Sequence, residues 1–250
     1  MSLAGRAILV TRPAAQAAEL SRLLRAEGAE PVGFAVIDIQ PDAAALAALP
    51  PRAAASDWLI FVSPSAIQLA WPALSNLPAL PRLACVGAAS AQKLGKLARR
   101  AVLYPHVGSD SAALLAEPAL RDVTGQSVLI VRGADGRAEL GQALARRGAR
   151  VDYADIYRRA DAAPDWQTFD RLDASGRLDG CIVTSGDIAE RLFRLAGSGR
   201  ARALQCLQYC VPHPRIAERL AAQGVTRIVT TQADDAAMVA GLKEWFSRHP

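Results

Sequence analysis

The sequence predicts an α/β protein built from two doubly wound lobes, each around a parallel sheet. Of its 250 residues, 51% are hydrophobic but only 5% are aromatic, which suits helices packed on aliphatic strands. Short apolar runs alternate with connecting segments of about ten to fifteen residues, long enough for helical crossovers between parallel strands. The second half of the chain repeats the pattern of the first, so we expect two similar lobes.

The repeat begins with the first strand of each half. Ile8–Arg12 and Val128–Arg132 lie 120 residues apart, and each is an apolar run that ends in arginine. A helical segment containing a Glu-Leu pair follows each run. A Gly-Ala pair then ends each segment, as glycine commonly ends helices.

The remaining strands follow at nearly the same offset. A second pair of apolar runs reaches Ser63 and Ser185, and each serine is placed to cap the next helix. Polar residues and prolines interrupt the pattern at 38–41 and 156–164, which we expect to be linkers. The predicted strands are 7–11, 32–37, 58–62, 83–86, 101–104, 127–131, 151–157, 180–184, 208–211 and 227–231.

Charge and composition exclude several classes of protein. The net charge is +5, but most arginines sit in mixed-sign helical segments and no basic stripe is interleaved with aromatics, so we expect no nucleic-acid partner. No apolar run approaches the roughly 20 residues that span a bilayer, so we expect no membrane partner. The four cysteines lack CxxC spacing, and three sit in or beside apolar runs, which favours reduced core thiols and a cytoplasmic location.

The sequence offers no cofactor motif. His106, His213 and His249 are far apart and lie outside any HExxH or Cys/His framework, so we expect no metal. The glycines in 132–137 fit neither GxGxxG nor the P-loop pattern. Neither Ser63 nor Ser185 stands in GxSxG, which favours helix capping over nucleophilic catalysis.

Candidate site residues follow the predicted strands. Open α/β sheets bind ligands at the carboxyl ends of their strands, where helix N-termini offer free N–H groups. The candidates there are Thr11, Arg12, Ser63, Ser65, Gly87, Ser90, Arg132, Gly133, Thr184, Ser185 and Arg215.

Two further residues, Arg137 and Tyr157, have side chains that could bind or act on a ligand. Arg137 and Arg132 flank a glycine-containing loop, where they could hold carboxylates or phosphates, or simply be solvated at a helix start. Tyr157 ends an apolar strand beside two cations. Its phenol could donate a hydrogen bond to a leaving hydroxyl, although an aromatic at an interface would have the same position.

Taken together, these segments resemble the uroporphyrinogen-III synthase family. The stretch from Val128 to Arg159 carries RGxxGRxxL, then GA, then YRR, similar to the central signature of that family. Supporting stretches are Leu9–Pro13, Phe61–Ala66, Cys85–Gly87 and Cys181–Ser185. The chain departs from the family at Ala89–Ala91, where a Thr-Ala pair is common, and at Pro212–Ala217, which replaces a Gly-Pro-Thr-Thr-Ala type of turn.

The resemblance implies an architecture and a reaction. One lobe would contain residues 1–37 and 165–250, the other 42–155, with the active site in the cleft between them. The substrate would be hydroxymethylbilane, a linear tetrapyrrole, closed by this lyase to uroporphyrinogen III with inversion of ring D and loss of water. Tyr157 would assist departure of the hydroxyl, while carboxylates would be held by Arg12, Ser63, Arg132, Arg137, Thr184 and Ser185.

The resemblance further implies a monomer without cofactors, functionally coupled to hydroxymethylbilane synthase. Three alternatives stay open at the level of the sequence. One is a non-catalytic tetrapyrrole-binding module on the same fold, in which the departures near Ala89 and His213 accompany lost activity. A second is a doubly wound protein that senses nucleotides or phosphate, and a third is a weak nucleic-acid binder.

Overall fold

The structure, a computed structural model, describes residues 3–108 and 110–249. The contacts divide the chain into two compact units, Met1–Asp38 with Ala160–Pro250, and Ile39–Arg159. We call these unit 1 and unit 2. No helix in the described ranges is long and apolar enough to cross a membrane.

Strands and helices alternate along the described chain. The strands are β1 Ala7–Val10, β2 Glu30–Gly33, β3 Ile37–Pro41, β4 Trp58–Phe61, β5 Arg82–Cys85, β6 Ser127–Gly133, β7 Arg150–Asp161, β8 Leu178–Ile182, β9 Gln208–Val211 and β10 Ile228–Thr230. The helices are α1 Ala18–Ala26, α2 Ala43–Ala47, α3 Leu49–Ala54, α4 Pro64–Leu74, α5 Ala88–Ala98, α6 Ser111–Ala116, α7 Glu139–Arg146, α8 Trp166–Ala174, α9 Gly186–Cys206, α10 Pro214–Ala221 and α11 Asp235–Arg248.

Unit 1 contains a five-stranded sheet in the order β10-β9-β8-β1-β2, with every neighbouring pair parallel. On one face, α1 and α11 pack together over a core that includes Ile8, Val10 and Phe246. Helices α9 and α10 also contact each other, and Gly197 breaks the helical backbone within α9 at φ 64°.

Unit 2 contains the sheet β3-β7-β6-β4-β5. Alternate residues of β4 face opposite cores, with Leu59 and Phe61 on one side and Trp58 and Ile60 on the other. Helices therefore cover both faces, and each core excludes apolar side chains from water. The predicted doubly wound α/β class is confirmed.

The segments predicted as extended linkers, 38–41 and 156–164, contain both boundaries between the units and are in part strands. β3 covers 37–41, and β7 runs on to Asp161. The amide of Asp42 donates to the carbonyl of Ile156, and that of Ala162 donates to Val36, so the partners run in opposite directions and β3 is antiparallel to β7. β3 ends in Pro41, and an edge strand tolerates proline because it needs fewer backbone donors.

One other predicted strand is reduced in the structure. Residues 101–104 form only an isolated bridge, in which Leu103 pairs with Ala84 of β5. The other predicted strands occur within a few residues of their expected positions. The repeat also holds, because β1, α1 and β2 in the first half correspond to β6, α7 and β7 in the second.

Candidate active site

Tyr157 and Ser63 form a hydrogen-bonded pair at the carboxyl edge of the unit 2 sheet. Their hydroxyl oxygens are 2.9 Å apart, and either can donate. Ser63 also accepts a bond of 3.0 Å from the amide of Ala66, so it caps α4 as predicted. The guanidinium of Arg159 makes a long contact of 3.5 Å with the Tyr157 hydroxyl.

The two partners differ in exposure. Only 1% of Tyr157 is exposed, whereas Ser63 is half-buried. A ligand that contacts Tyr157 directly therefore requires its surroundings to move, while Ser63 is the partner that solvent reaches. The pair can pass a proton because each hydroxyl both donates and accepts.

Gly133 is required by the Tyr157 ring. A Cβ at position 133 would lie 2.7 Å from Cε2 of Tyr157, closer than real side chains approach. The register of β6 on β7 shifts at this point, so that Gly133 pairs with Tyr157. The strand irregularity and the absent side chain together make room for the aromatic ring.

Arg132 fixes the loop that follows β6. Its Nε donates to Asp155 at 2.7 Å, and its Nη1 donates to the carbonyls of Gly136 and Arg137 at 3.0 and 3.1 Å. The guanidinium also lies 3.9 Å from the centre of the Tyr153 ring. Only 12% of the Arg132 side chain is exposed, so most of its bonding capacity is used within the unit.

The position of Arg132 explains why residue 136 is a glycine. A Cβ at Gly136 would be 2.5 Å from Cδ of Arg132, so only glycine lets the loop fold over the arginine. Arg137 is exposed, and no ion pair of its side chain is recorded among the described residues. Of the two arginines predicted to hold carboxylates, Arg137 is thus the one that solvent reaches readily.

Helix α5 presents a second N-terminus at the same edge, immediately after β5. Gly87 occupies its cap position with an extended backbone at φ −146°, and no side chain bonds the first amides. Ser90 lies in the first turn and is half-buried, while Ser65 lies in the first turn of α4 and is buried. Burial raises the pKa of nearby Cys85 to about 12, so this thiol stays protonated and is a poor nucleophile.

In unit 1 the Thr11 side chain is bonded within the sheet. Thr11 is fully buried, and its hydroxyl donates to the carbonyl of Ile182 at 2.7 Å. The hydroxyl therefore joins β1 to β8. Arg12 is 13% exposed and pairs with Asp235 at 2.9 Å, so its charge is balanced within the unit.

The other candidates of unit 1 follow β8 and β9. Ser185 accepts a bond from the amide of Ile188 at 3.2 Å and caps α9, as predicted. Thr184 is half-buried beside it, and Arg215 is exposed in the first turn of α10. His213 caps α10, because its Nδ1 accepts from the amide of Arg215 at 3.1 Å.

The structure places Ser63 and Gly133 each against Tyr157, whereas Arg132 and Arg12 are held by carboxylates that the sequence analysis missed. Those carboxylates are Asp155 and Asp235. Arg159 was also missed, although the YRR motif contains it. No group of three or more possible metal ligands occurs among His, Cys, Asp and Glu of the described ranges.

Comparison with known proteins now defines the family. The profile of the family described as uroporphyrinogen-III synthase HemD matches residues 18–240, most of the chain. The chain belongs to the uroporphyrinogen-III synthase family. The uroporphyrinogen-III synthase of Escherichia coli (strain K12) is 32% identical over 205 residues, which cover 75% of this chain and 79% of that protein.

Two further similarities agree with membership in the uroporphyrinogen-III synthase family. The enzyme of that name from Salmonella typhimurium is 31% identical over 202 residues, 75% of this chain and 79% of that protein. A crystal structure of a mutant uroporphyrinogen III synthase from the extremely thermophilic bacterium Thermus thermophilus has a TM-score of 0.61 and 19% identity, covering 97% of this chain and 99% of that one. At that identity the structural likeness establishes the shared fold.

Proposed function

We propose that this protein is a lyase that cyclises hydroxymethylbilane to uroporphyrinogen III with loss of water, in tetrapyrrole biosynthesis. The observation that carries the proposal is the family match over residues 18–240. The hydrogen-bonded Ser63–Tyr157 pair supports it, since it supplies a polar donor at the edge where α/β proteins bind ligands.

The reaction needs little acid or base catalysis from the protein. The terminal hydroxyl leaves as water together with the N–H proton of its pyrrole, and an electrophilic azafulvene remains. The substituted carbon of the last ring attacks it, and the resulting spirocycle reopens and recloses with that ring inverted. A proton finally moves from a ring carbon to a pyrrole nitrogen, so that only water is lost overall. Because the substrate can also close unaided to the uninverted isomer, the enzyme acts chiefly by orientation.

We propose that Tyr157 assists departure of the hydroxyl through Ser63. Tyr157 donates to the Ser63 oxygen, and the more exposed Ser63 donates to the leaving oxygen; the 2.9 Å separation and the difference in exposure support this order. In this arrangement the amide of Ala66 holds Ser63 in place. Arg159 favours any negative charge that develops on the phenol.

The substrate has eight carboxylates, which need many donors. We propose that donors at the carboxyl edges of both sheets contribute, with exposed Arg137 as a main cationic contact. Arg12 and Arg132 contribute less free charge because each is already paired. Side-chain or backbone donors would come in addition from Ser65, Gly87, Ser90, Gly133, Thr184, Ser185 and Arg215.

We further propose a cytoplasmic monomer that receives its substrate from hydroxymethylbilane synthase. Four free cysteines, three of them buried, support a reducing compartment. Light scattering of the purified protein tests the monomer, and a dimer mass would contradict it. Faster transfer of substrate when both enzymes are mixed, relative to added free substrate, tests the coupling.

A coupled assay tests the function. Hydroxymethylbilane is generated from porphobilinogen with its deaminase, this protein is added, the products are oxidised, and porphyrin isomers I and III are separated by chromatography. We expect isomer III to replace isomer I. Isomer I alone, from protein that unfolds cooperatively on heating, would contradict the proposal.

A further inference from the structure

A cavity lies in unit 1, away from the carboxyl edge. Its volume is about 400 Å³, within the range of small-molecule sites. It is lined by residues that precede or begin strands, among them Arg6 before β1, Leu178 at the start of β8 and Gln208 at the start of β9. We call it the amino-edge cavity, since the strands of this parallel sheet begin there.

Aromatic rings from the end of α11 form one side of the amino-edge cavity. Trp245 is half-buried, and the His249 ring stacks on it with a centroid distance of 4.4 Å and an interplanar angle of 15°. Nδ1 of His249 lies 3.0 Å from the Trp245 carbonyl, which fixes that ring. The cavity therefore has a flat aromatic side, made of the His249 ring stacked on Trp245, against which a flat ligand can pack.

The two arginines that line the cavity differ in their partners. Arg6 is balanced by Asp179 at 2.7 Å and lies over the Phe246 ring at 4.6 Å. Arg227 is exposed and donates to the carbonyl of Cys206 at 3.3 Å, and no carboxylate is recorded as its partner among the described residues. A ligand with a single negative charge would complete the electrostatics.

Gln208 contributes a buried side-chain amide to the lining of the cavity. It is 1% exposed and lines the cavity, and its Nε2 donates to the carbonyl of Tyr209 at 2.9 Å. Its Oε1 is buried without a hydrogen-bond partner. Such an acceptor costs free energy until a donor reaches it, and the soft terminal torsion of glutamine lets the oxygen turn toward the cavity.

We propose that the amino-edge cavity binds a planar heteroaromatic carboxylate that carries a ring N–H. The ring lies against the stacked His249 and Trp245 rings, the carboxylate pairs with Arg227, and the ring N–H donates to Oε1 of Gln208 after that oxygen turns toward the cavity. This site is distinct from the cyclisation site, because its residues lie at the opposite ends of the strands.

Calorimetric titration with indole-3-acetate tests the proposal, with two analogues that each remove one contact. Indole-3-acetamide lacks the charge, and benzofuran-3-acetate lacks the N–H. We expect saturable one-to-one binding of indole-3-acetate and about tenfold weaker binding of each analogue, the size of one lost hydrogen bond to a charged or buried group.

Protein variants identify which contact each analogue removes. Arg227→Gln should weaken indole-3-acetate about tenfold but leave the acetamide unchanged, whereas Gln208→Leu should weaken indole-3-acetate but not the benzofuran. Arg146→Gln is the charge-matched control, since Arg146 is exposed in unit 2 and should change neither affinity.

Two results would overturn the proposal. One is the absence of saturable binding up to about 5 mM indole-3-acetate. The other is equal affinity of all three compounds, or equal losses in all variants, which would indicate non-specific association. Thermal unfolding of each variant separates a lost contact from a lost fold, and the exposed Arg227 keeps the test valid if Gln208→Leu is unstable. The titration uses no substrate, so its outcome is independent of the cyclisation assay.

Discussion

Tyr157 and Tyr209 are both almost completely buried, yet their hydroxyls have different surroundings. The Tyr157 hydroxyl is bonded to Ser63, whereas no partner is recorded for that of Tyr209. Burial raises the pKa of the Tyr209 phenol well above its ordinary value, so this group stays neutral. The same substitution at the two sites should therefore have opposite effects.

Tyr209→Phe should leave stability unchanged or raise it by up to about 1 kcal/mol, because it removes a buried polar group that has no partner. Urea denaturation monitored by circular dichroism measures the change. Tyr157→Phe is the matched control, and it should lower stability since it removes a bonded hydroxyl. A loss of more than about 1 kcal/mol in Tyr209→Phe would contradict the prediction and imply an ordered partner.

Tyr157→Phe should also slow the formation of isomer III by about tenfold or more at saturating substrate, with little change in KM. A group that acts on the leaving hydroxyl changes kcat, whereas a substrate-binding group changes KM. Tyr104→Phe, at an exposed tyrosine, is the control and should behave as wild type. Unchanged kcat in folded Tyr157→Phe would rule out the assisting role.

Arg137→Gln should raise KM about fivefold while kcat stays within a factor of two, since an exposed cation contributes about 1 kcal/mol to binding a carboxylate. Steady-state kinetics at low salt measure this best, because salt screens exposed charges. Arg146→Gln, on the last turn of the following helix α7, is the control. A fall in kcat with unchanged KM would mean that Arg137 acts in the chemistry.

At the scale of elements, hydrophobic period and helix stops predict most of the fold. The run Val128–Arg132 and its copy at Ile8–Arg12 become β6 and β1, because each is apolar on both faces and is buried in the middle of its sheet. β3 was missed because Ile37–Pro41 is short, half polar and ends in proline. Only its pairing with β7, far along the chain, makes it a strand.

The positions of the site residues were predictable from the sequence, but their ion-pair partners and exposure were not. Polar residues after parallel strands are recognisable from the sequence, and Ser63 and Ser185 cap helices as expected. The partners of Arg12 and Arg132 were not predictable, because Asp235 and Asp155 are 223 and 23 residues away. Local patterns carry no information about such contacts, so exposure of a cation follows only from the structure.

The N-terminal cap of α10 is another contact that local sequence patterns do not predict, and it can be tested. Histidine is not among the usual capping residues, yet Nδ1 of His213 accepts from the amide of Arg215. His213→Ala should cost about 1 kcal/mol of stability, whereas His213→Ser should retain most of it, because serine offers an equivalent acceptor. Urea denaturation compares the two, and equal losses would show that the cap bond contributes nothing.

At the scale of the whole molecule, the two halves of the repeat are shared between the sheets. β1 and β2 from the first half share a sheet with β8, β9 and β10 from the second, while β4 and β5 from the first half share one with β6 and β7 from the second. Apart from the extra edge strand β3, the two sheets have the same strand order when the bridge at Leu103 is counted as the counterpart of β10. The unit 2 sheet is continuous in sequence, whereas the unit 1 sheet is not.

This difference predicts how fragments fold. A fragment of residues 37–161 contains all five strands of the unit 2 sheet and the cores on both of its faces, so it should unfold cooperatively in urea. A fragment of residues 162–250 should not, because it lacks β1, which lies between β8 and β2, and its absence exposes the apolar edge of β8.

Adding residues 1–36 to the second fragment, through a flexible linker from its C-terminus, restores β1 and β2 and should restore cooperative unfolding. Circular dichroism in urea compares the three chains. If 162–250 alone unfolds as cooperatively as the rejoined chain, β1 is not needed for the core of unit 1. If 37–161 shows no cooperative transition, unit 2 depends on contacts outside its own sheet and cores.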